Sequence, residues 1–192
     1  MLWLYRDNRH AEANLRNEAA ARGIDPSRLV FAGPLPHDDH LARHRVADLF
    51  LDTLPYNAHT TASDALWAGI PVLTCRGKAF AGRVAASLLT AVGLSELVTQ
   101  SLDEYESLAL RLATDAPLLR GFRQRLERNR LEFPLFDTDR FCRHIEAAYT
   151  TMWDVWQRRE KPRSFGVAPH GEVIRPNGNP AAQHRQAGTD PG

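Results

Sequence analysis

The chain has 192 residues, 43% of them hydrophobic and 24% charged, a soluble composition that can bury one ordinary core and is too short for two large domains with linkers. Its 24 basic residues stand against 23 acidic ones, so the formal net charge of +1 gives no overall field for drawing in nucleic acid or an anionic membrane. No apolar run is long enough for a membrane span and Met1-Leu2-Trp3-Leu4-Tyr5-Arg6 lacks the pattern of a secretory signal, which makes a cytoplasmic protein the expectation.

Short apolar runs alternate with amphipathic segments through the first half. Leu2 to Tyr5 reads as a strand, and Asn8 to Arg22 as a helix with Ala11, Leu15 and Ala19 on one stripe, ended by Gly23. Leu29-Val30-Phe31 is the next strand, followed by an acidic helix that opens at Pro36-His37-Asp38-Asp39-His40-Leu41, with proline near its first position. Leu49 to Leu51 is a third strand and Thr61 to Ala68 a third helix. Pro71 to Thr74 reads as a strand, Phe80 to Ala91 as a helix and Glu96 to Thr99 as a last short strand. Strands and helices alternating over connections this short predict an α/β fold, a Rossmann-like parallel sheet with helices on both faces. From Leu102 onward the pattern is helical, and a long helix from about Thr138 to Arg158 is expected to bury Phe141, Ile145, Tyr149, Met152, Trp153 and Trp156. Residues 1–159 therefore read as one domain. Residues 160–192 are rich in Pro, Gly and polar groups, with too few apolar side chains to offset the entropy of ordering, and read as a disordered tail.

Cys75 and Cys142 lie far apart and outside any C-x-x-C pattern, so neither a disulfide framework nor a zinc site is indicated. His37, His40 and His44 have helical spacing, but no Cys, Asp or Glu completes a ligand set around them, and no metal is expected.

The stretch DLFLDTLPYNAHTTASDALWAG, residues 48–69, places His59, Thr60 and Thr61 where a buried strand hands over to a helix. In an open parallel sheet, ligands bind beyond the carboxyl ends of the strands. Free amides at a helix start carry partial positive charge, which suits a phosphate, and threonine hydroxyls add donors without bulk. Asp64 would be unwelcome beside a phosphate but is suited to accept hydrogen bonds from a ribose diol. An alternative needs no ligand: Thr61-x-x-Asp64 approximates a capping box, which leaves His59 and Thr60 without a reason. Spacing leaves both readings open.

The segments LFLDTLPYNAHTTASDALWAGIPVLT, RVAASLL, LVTQSLDEYESLALRLATD and PLFDTDRFCRHIEAAYTTMWDVW together resemble the C-terminal catalytic region of O-linked N-acetylglucosamine transferases. This is glycosyltransferase family 41, which includes SPINDLY-like bacterial proteins with tetratricopeptide repeats. The resemblance runs from Leu2 to about Trp156 and rests most firmly on the His-Thr-Thr element. It implies the C-terminal, donor-binding half of a GT-B arrangement, two Rossmann-like domains holding UDP-N-acetylglucosamine between them, with no required metal or cofactor. It further implies that Thr60 and Thr61 contact the donor diphosphate, with His59 beside them, and that Asp64 holds the ribose. His40 stands beside the nucleoside, Arg43 near the uracil, and Leu35 where backbone groups read the base. His37 occupies a ribose-contacting position where the family commonly has lysine. Without the resemblance, Arg43 reads as a helix-surface partner of Asp39, Arg83 as structural and Trp67 as core.

The same resemblance implies that a further strand and helix of this domain, a whole first domain and helical repeats precede these residues in relatives. In the order 3-2-1-4-5-6 the absent strand would lie between Leu2–Tyr5 and Leu49–Leu51, leaving two inner edges unpaired or forcing them together. A phosphate-contacting lysine and the catalytic histidine of the family would lie in those segments, so no general base is assigned here. The expectation is transfer of N-acetylglucosamine to Ser or Thr of proteins with inversion by the full enzyme, and a chain inactive or nearly so alone. Two alternatives stand beside it: a truncated, non-catalytic interaction module, and another GT-B nucleotide-sugar enzyme.

Overall fold

A computed structural model describes the backbone of residues 2–3, 8–168 and 173–174, and the side chains of 8–168. The chain divides into two units, Met1–Leu131 and Glu132–Gly192.

In the first unit, strand β1 (Leu2–Trp3) leads to helix α1 (Arg9–Ala21), β2 (Val30–Phe31), α2 (His37–Arg43), β3 (Phe50–Leu51), α3 (Thr60–Trp67), β4 (Val72–Cys75), α4 (Val84–Ala91), β5 (Val98–Thr99), α5 (Leu102–Thr114) and α6 (Ala116–Glu132). The alternation predicted from the sequence is observed, with ends that move by one or two residues, except that the helix expected from Phe80 begins at Val84, after a 3-10 turn over Phe80–Gly82. Leu4 and Tyr5, expected to extend β1, lie outside the described residues. Helix α1 starts where the Asn8 side chain accepts from the amides of His10 and Ala11, and stops at Gly23, whose φ of +72° is the left-handed geometry a glycine adopts without a Cβ clash.

All strand pairs in this unit are parallel. β1 pairs with β2 (Leu2 with Val30), and a separate sheet runs β3-β4-β5, with Phe50 opposite Val72 and Thr74 opposite Val98. Among the described residues β1 and β3 share no ladder, so the sheet falls into two pieces at the position the 3-2-1-4-5-6 order gives to its first strand.

The core surrounds β4. All four of its residues are buried, as expected of a central parallel strand covered on both faces. Ala62, Ala65 and Leu66 of α3, Ala85 and Leu89 of α4, and Leu112 of α5 join Val72 and Leu73 there. β3, β4 and β5 run parallel, so their carboxyl ends share one edge and the loops leaving β3 and β4 start side by side.

Two expectations about aromatic burial fail. Trp67 is 47% exposed at the end of α3, where Arg130 of α6 donates to its carbonyl at 2.7 Å with the guanidinium 5.9 Å from the ring centre. In the second unit, helix α7 (Thr138–Gln157) has the predicted extent, yet Phe141, Tyr149, Met152, Trp153 and Trp156 are all exposed. The described residues of its unit also form a short antiparallel pair, β6 (Gly166–Val167) with β7 (Val173–Ile174). Trp153 and Trp156 pack on one another, ring centres 4.9 Å apart. The β6–β7 pair lies within the span that composition assigns to a tail; residues 169–172 and 175–192 lie outside the described residues.

Candidate functional site

The loop leaving β3 is built around a buried carboxylate. Asp52, 5% exposed, accepts from the amides of Ala58 (2.6 Å) and Thr53 (2.8 Å) and from the Thr74 hydroxyl on β4 (2.6 Å). Burial pushes its pKa up, opposed by these three hydrogen bonds. Tyr105 of α5 donates to the Asp52 carbonyl at 2.9 Å, and burial followed by the charge of Asp52 raises its hydroxyl pKa to about 12. Asn57, 1% exposed, donates its amide to Ala81 at 2.9 Å and its side chain to Thr53 at 3.0 Å. The β3 and β4 loops are thereby joined. Gly82 sits at the junction: a Cβ there would lie 3.0 Å from the Pro55 carbonyl oxygen and 3.2 Å from the Gly77 Cα.

This frame fixes the start of α3. His59 occupies the N-cap position without capping it. Its ring stacks on Tyr56 (4.9 Å, 20°), meets Phe80 edge-on at 6.1 Å and brings Nε2 to 3.4 Å from the Ala81 carbonyl. The first helical bond is Ser63 N–H to His59 at 3.1 Å, so the amides of Thr60, Thr61 and Ala62 have no partner among the described residues. The capping-box alternative is not realised. Thr61 is the second helical residue rather than the cap, and Asp64 is turned toward α2.

There Asp64 Oδ2 lies 3.7 Å from His40 Nε2. Arg43 donates through Nη2 to His40 Nδ1 at 2.7 Å and through Nη1 to the Gly33 carbonyl at 2.6 Å, rather than pairing with Asp39. An arginine only donates, so Nδ1 accepts and the imidazole proton resides on Nε2, facing Asp64. Burial, then the neighbouring His44 and Arg43, lower the pKa of His40 against the opposing pull of Asp64. Leu35 and His37 are exposed at the entrance to α2. His40, Arg43 and Asp64 thus come together, Thr60 and Thr61 stand exposed at the head of the helix that carries Asp64, and His59 is drawn off into the junction of the two loops.

A cleft of about 1250 Å³ runs from Thr60 and Thr61 along β3, with Leu49, Phe50 and Leu112 among its walls. Three buried polar atoms of its lining residues lack partners among the described residues: Arg43 Nε, His44 Nε2 and Asn57 Oδ1. His44 donates through Nδ1 to the His40 carbonyl at 2.8 Å, which leaves Nε2 as a free acceptor in the neutral ring. Unsatisfied buried groups and the unpaired amides of Thr60 and Thr61 thus put donors and acceptors on one concave surface, a chemistry suited to anionic and hydroxyl groups. Asp52, Asn57, Thr74, Tyr105, Gly77 and Gly82 were not singled out in the sequence. The signal available for Asp52 was an aspartate directly after an apolar strand.

The sequence model of glycosyl transferase family 41 matches residues 1–145. The chain is 39% identical over 167 residues to a probable UDP-N-acetylglucosamine–peptide N-acetylglucosaminyltransferase SEC of Arabidopsis thaliana, covering 86% of this chain and 17% of that protein. It is 40% identical over 153 residues to the UDP-N-acetylglucosamine–peptide N-acetylglucosaminyltransferase of Caenorhabditis elegans, covering 80% of this chain and 13% of that one. Among solved structures, a mutant of the O-GlcNAc transferase of Thermobaculum terrenum superposes with a TM-score of 0.73 at 37% identity, over 79% of this chain and 29% of its own. The chain thus spans less than a fifth of these curated relatives.

Proposed function

The chain belongs to glycosyl transferase family 41, and from that premise we propose that its first unit binds the donor UDP-N-acetylglucosamine for transfer of the sugar to Ser or Thr of a protein. The observation that carries this reading is the bare start of α3. Thr60 and Thr61, whose amides have no partner among the described residues, line a cleft, and the residue placed to cap them is engaged elsewhere. Pyrophosphate oxygens take those amides and hydroxyls. Asp64 accepts from the ribose diol, with the His40 Nε2 proton facing it across 3.7 Å, and Arg43 keeps His40 in that tautomer. Leu35 and His37 stand at the base and ribose end, with His37 in place of the usual lysine.

In the transfer step the acceptor oxygen attacks the anomeric carbon from the face opposite the phosphate, with inversion, and the bond to the β-phosphate oxygen breaks. Negative charge then grows on UDP. Fixed amide dipoles and hydroxyls aimed at that charge stabilise the transition state more than the ground state. The acceptor proton must also be removed. No side chain near Thr60 and Thr61 is assigned that task, so the chain is a donor-binding part with little or no transferase activity alone.

Titration calorimetry with UDP tests the reading. Saturable binding is expected, weakened at least about tenfold in Thr61→Ala and in Asp64→Ala, the loss of one charge-assisted hydrogen bond or more. A chain that keeps its circular dichroism and binds no UDP would refute it, and would favour a non-catalytic module.

A further inference from the structure

A second concavity lies on the other side of the β4 loop. This trough of about 1110 Å³ runs along α4 and the flank of β5, and no residue lines both it and the cleft at Thr60 and Thr61. Its lining includes Arg76, Lys78 and Arg83, and no acidic residue. None of these three cations enters an ion pair among the described residues. Glu96, on the segment between α4 and β5, is turned to Arg125 at 2.8 Å. In a chain of net charge +1, three cations unpaired among the described residues and gathered on one concave surface form a local positive field.

The segment that carries them is held in shape. Arg76 N–H donates to the Thr99 carbonyl at 2.9 Å, and Gly77 N–H to the Gly82 carbonyl at 2.6 Å, closing the loop at its base. A Cβ on Gly77 would approach the Gly82 Cα to 3.1 Å, so the pinch depends on both glycines. Between the cations stands Phe80, 81% exposed. Apolar walls at Leu88 and Val98 continue from this charged end. A compact inorganic anion has no use for an exposed aromatic ring and an apolar trough; a polypeptide bearing carboxylates and apolar side chains uses all three.

We propose that Arg76, Lys78, Arg83 and Phe80 form a docking site for an acidic, partly apolar segment of the acceptor polypeptide, beside the donor cleft but distinct from it. This assignment rests on the proposed reading of the chain as part of a protein glycosyltransferase. Charge complementarity sets the preference and the rate of encounter, while Phe80 and the trough set register.

The test uses the 192-residue chain and two fluorescein-labelled peptides, one with a serine flanked by Glu and Leu, the other with each Glu replaced by Gln. By fluorescence anisotropy at about 50 mM salt, where screening is weak, the Glu peptide should bind at least about tenfold more tightly. The double variant Arg76→Glu/Lys78→Glu should abolish that preference with UDP binding unchanged, and Phe80→Ala should weaken both peptides. Equal affinity for the two peptides, or a preference that survives the double variant, overturns the proposal. So does displacement of the peptide by millimolar inorganic phosphate beyond the effect of sodium chloride at equal ionic strength, which would mark a small-anion site. Loss of UDP binding with the Glu preference intact would remove the donor reading and leave the docking site standing.

Discussion

Asp52 is the side chain on which the shape of the β3 loop depends, and two replacements separate its geometry from its charge. Asp52→Ala strands the amides of Thr53 and Ala58 and the hydroxyl of Thr74 in a place that is 5% exposed. At about 1–1.5 kcal/mol per lost bond, the expected destabilisation is about 3–5 kcal/mol. Asp52→Asn keeps the shape. Its carbonyl oxygen still accepts from both amides, its NH2 faces Thr74 Oγ1, and the hydroxyl turns from donor to acceptor, so the expected cost is about 1 kcal/mol. The two also differ in pH dependence. Burial raises the pKa of Asp52 above its ordinary 3.8, so between those values the folded chain binds more protons than the unfolded one. Its contribution is therefore fully present below 3.8 and is lost as pH rises through the elevated value. Urea unfolding followed by tryptophan fluorescence from pH 3 to 7 should show that fall in wild type relative to Asp52→Asn. An alanine variant that loses less than about 1 kcal/mol, or matches the asparagine variant, would refute the claim that these three bonds define the loop.

The His40 titration, read by NMR, should have its midpoint below the ordinary 6.5, because burial and the adjacent His44 and Arg43 disfavour the cation. Its contribution to stability is accordingly present above 6.5 and lost as pH falls through the lowered value, and a midpoint at or above 6.5 contradicts the tautomer assigned here. Gly82→Ala forces a methyl against two backbone atoms that cannot swing aside and should cost about 1–3 kcal/mol in urea unfolding, with weakened UDP binding. Tyr105→Phe removes the bond to the Asp52 carbonyl and should cost about 1 kcal/mol, while ultraviolet titration of wild type shows one phenol ionising near 12.

The sheet pieces and the head of α3 were legible in the sequence because both are written in neighbouring residues: the apolar run Leu49 to Leu51, then the turn, then helical spacing from Thr61. The use of His59 was not. Its stacking on Tyr56 is local, but Phe80 and Ala81, which draw it away from the cap, come from a loop more than twenty residues on. The same distance hides Thr74 from Asp52 and, still further, Tyr105. Periodicity found α7 and its apolar stripe, yet a stripe records only a face that can be covered, and the aromatic side chains on it are exposed. Trp67 shows the same limit: the size of a side chain says nothing of whether other elements will cover it, and this one is 47% exposed.

The pinned contact at Ala81 makes the two loops one mechanical piece. Its carbonyl holds the amide of Asn57 and faces the ring of His59, while Gly82 leaves no slack against Pro55. A side chain added at Gly82 therefore pushes on the β3 loop as well as on its own, and the disturbance is handed to the start of α3 through Asn57 and His59.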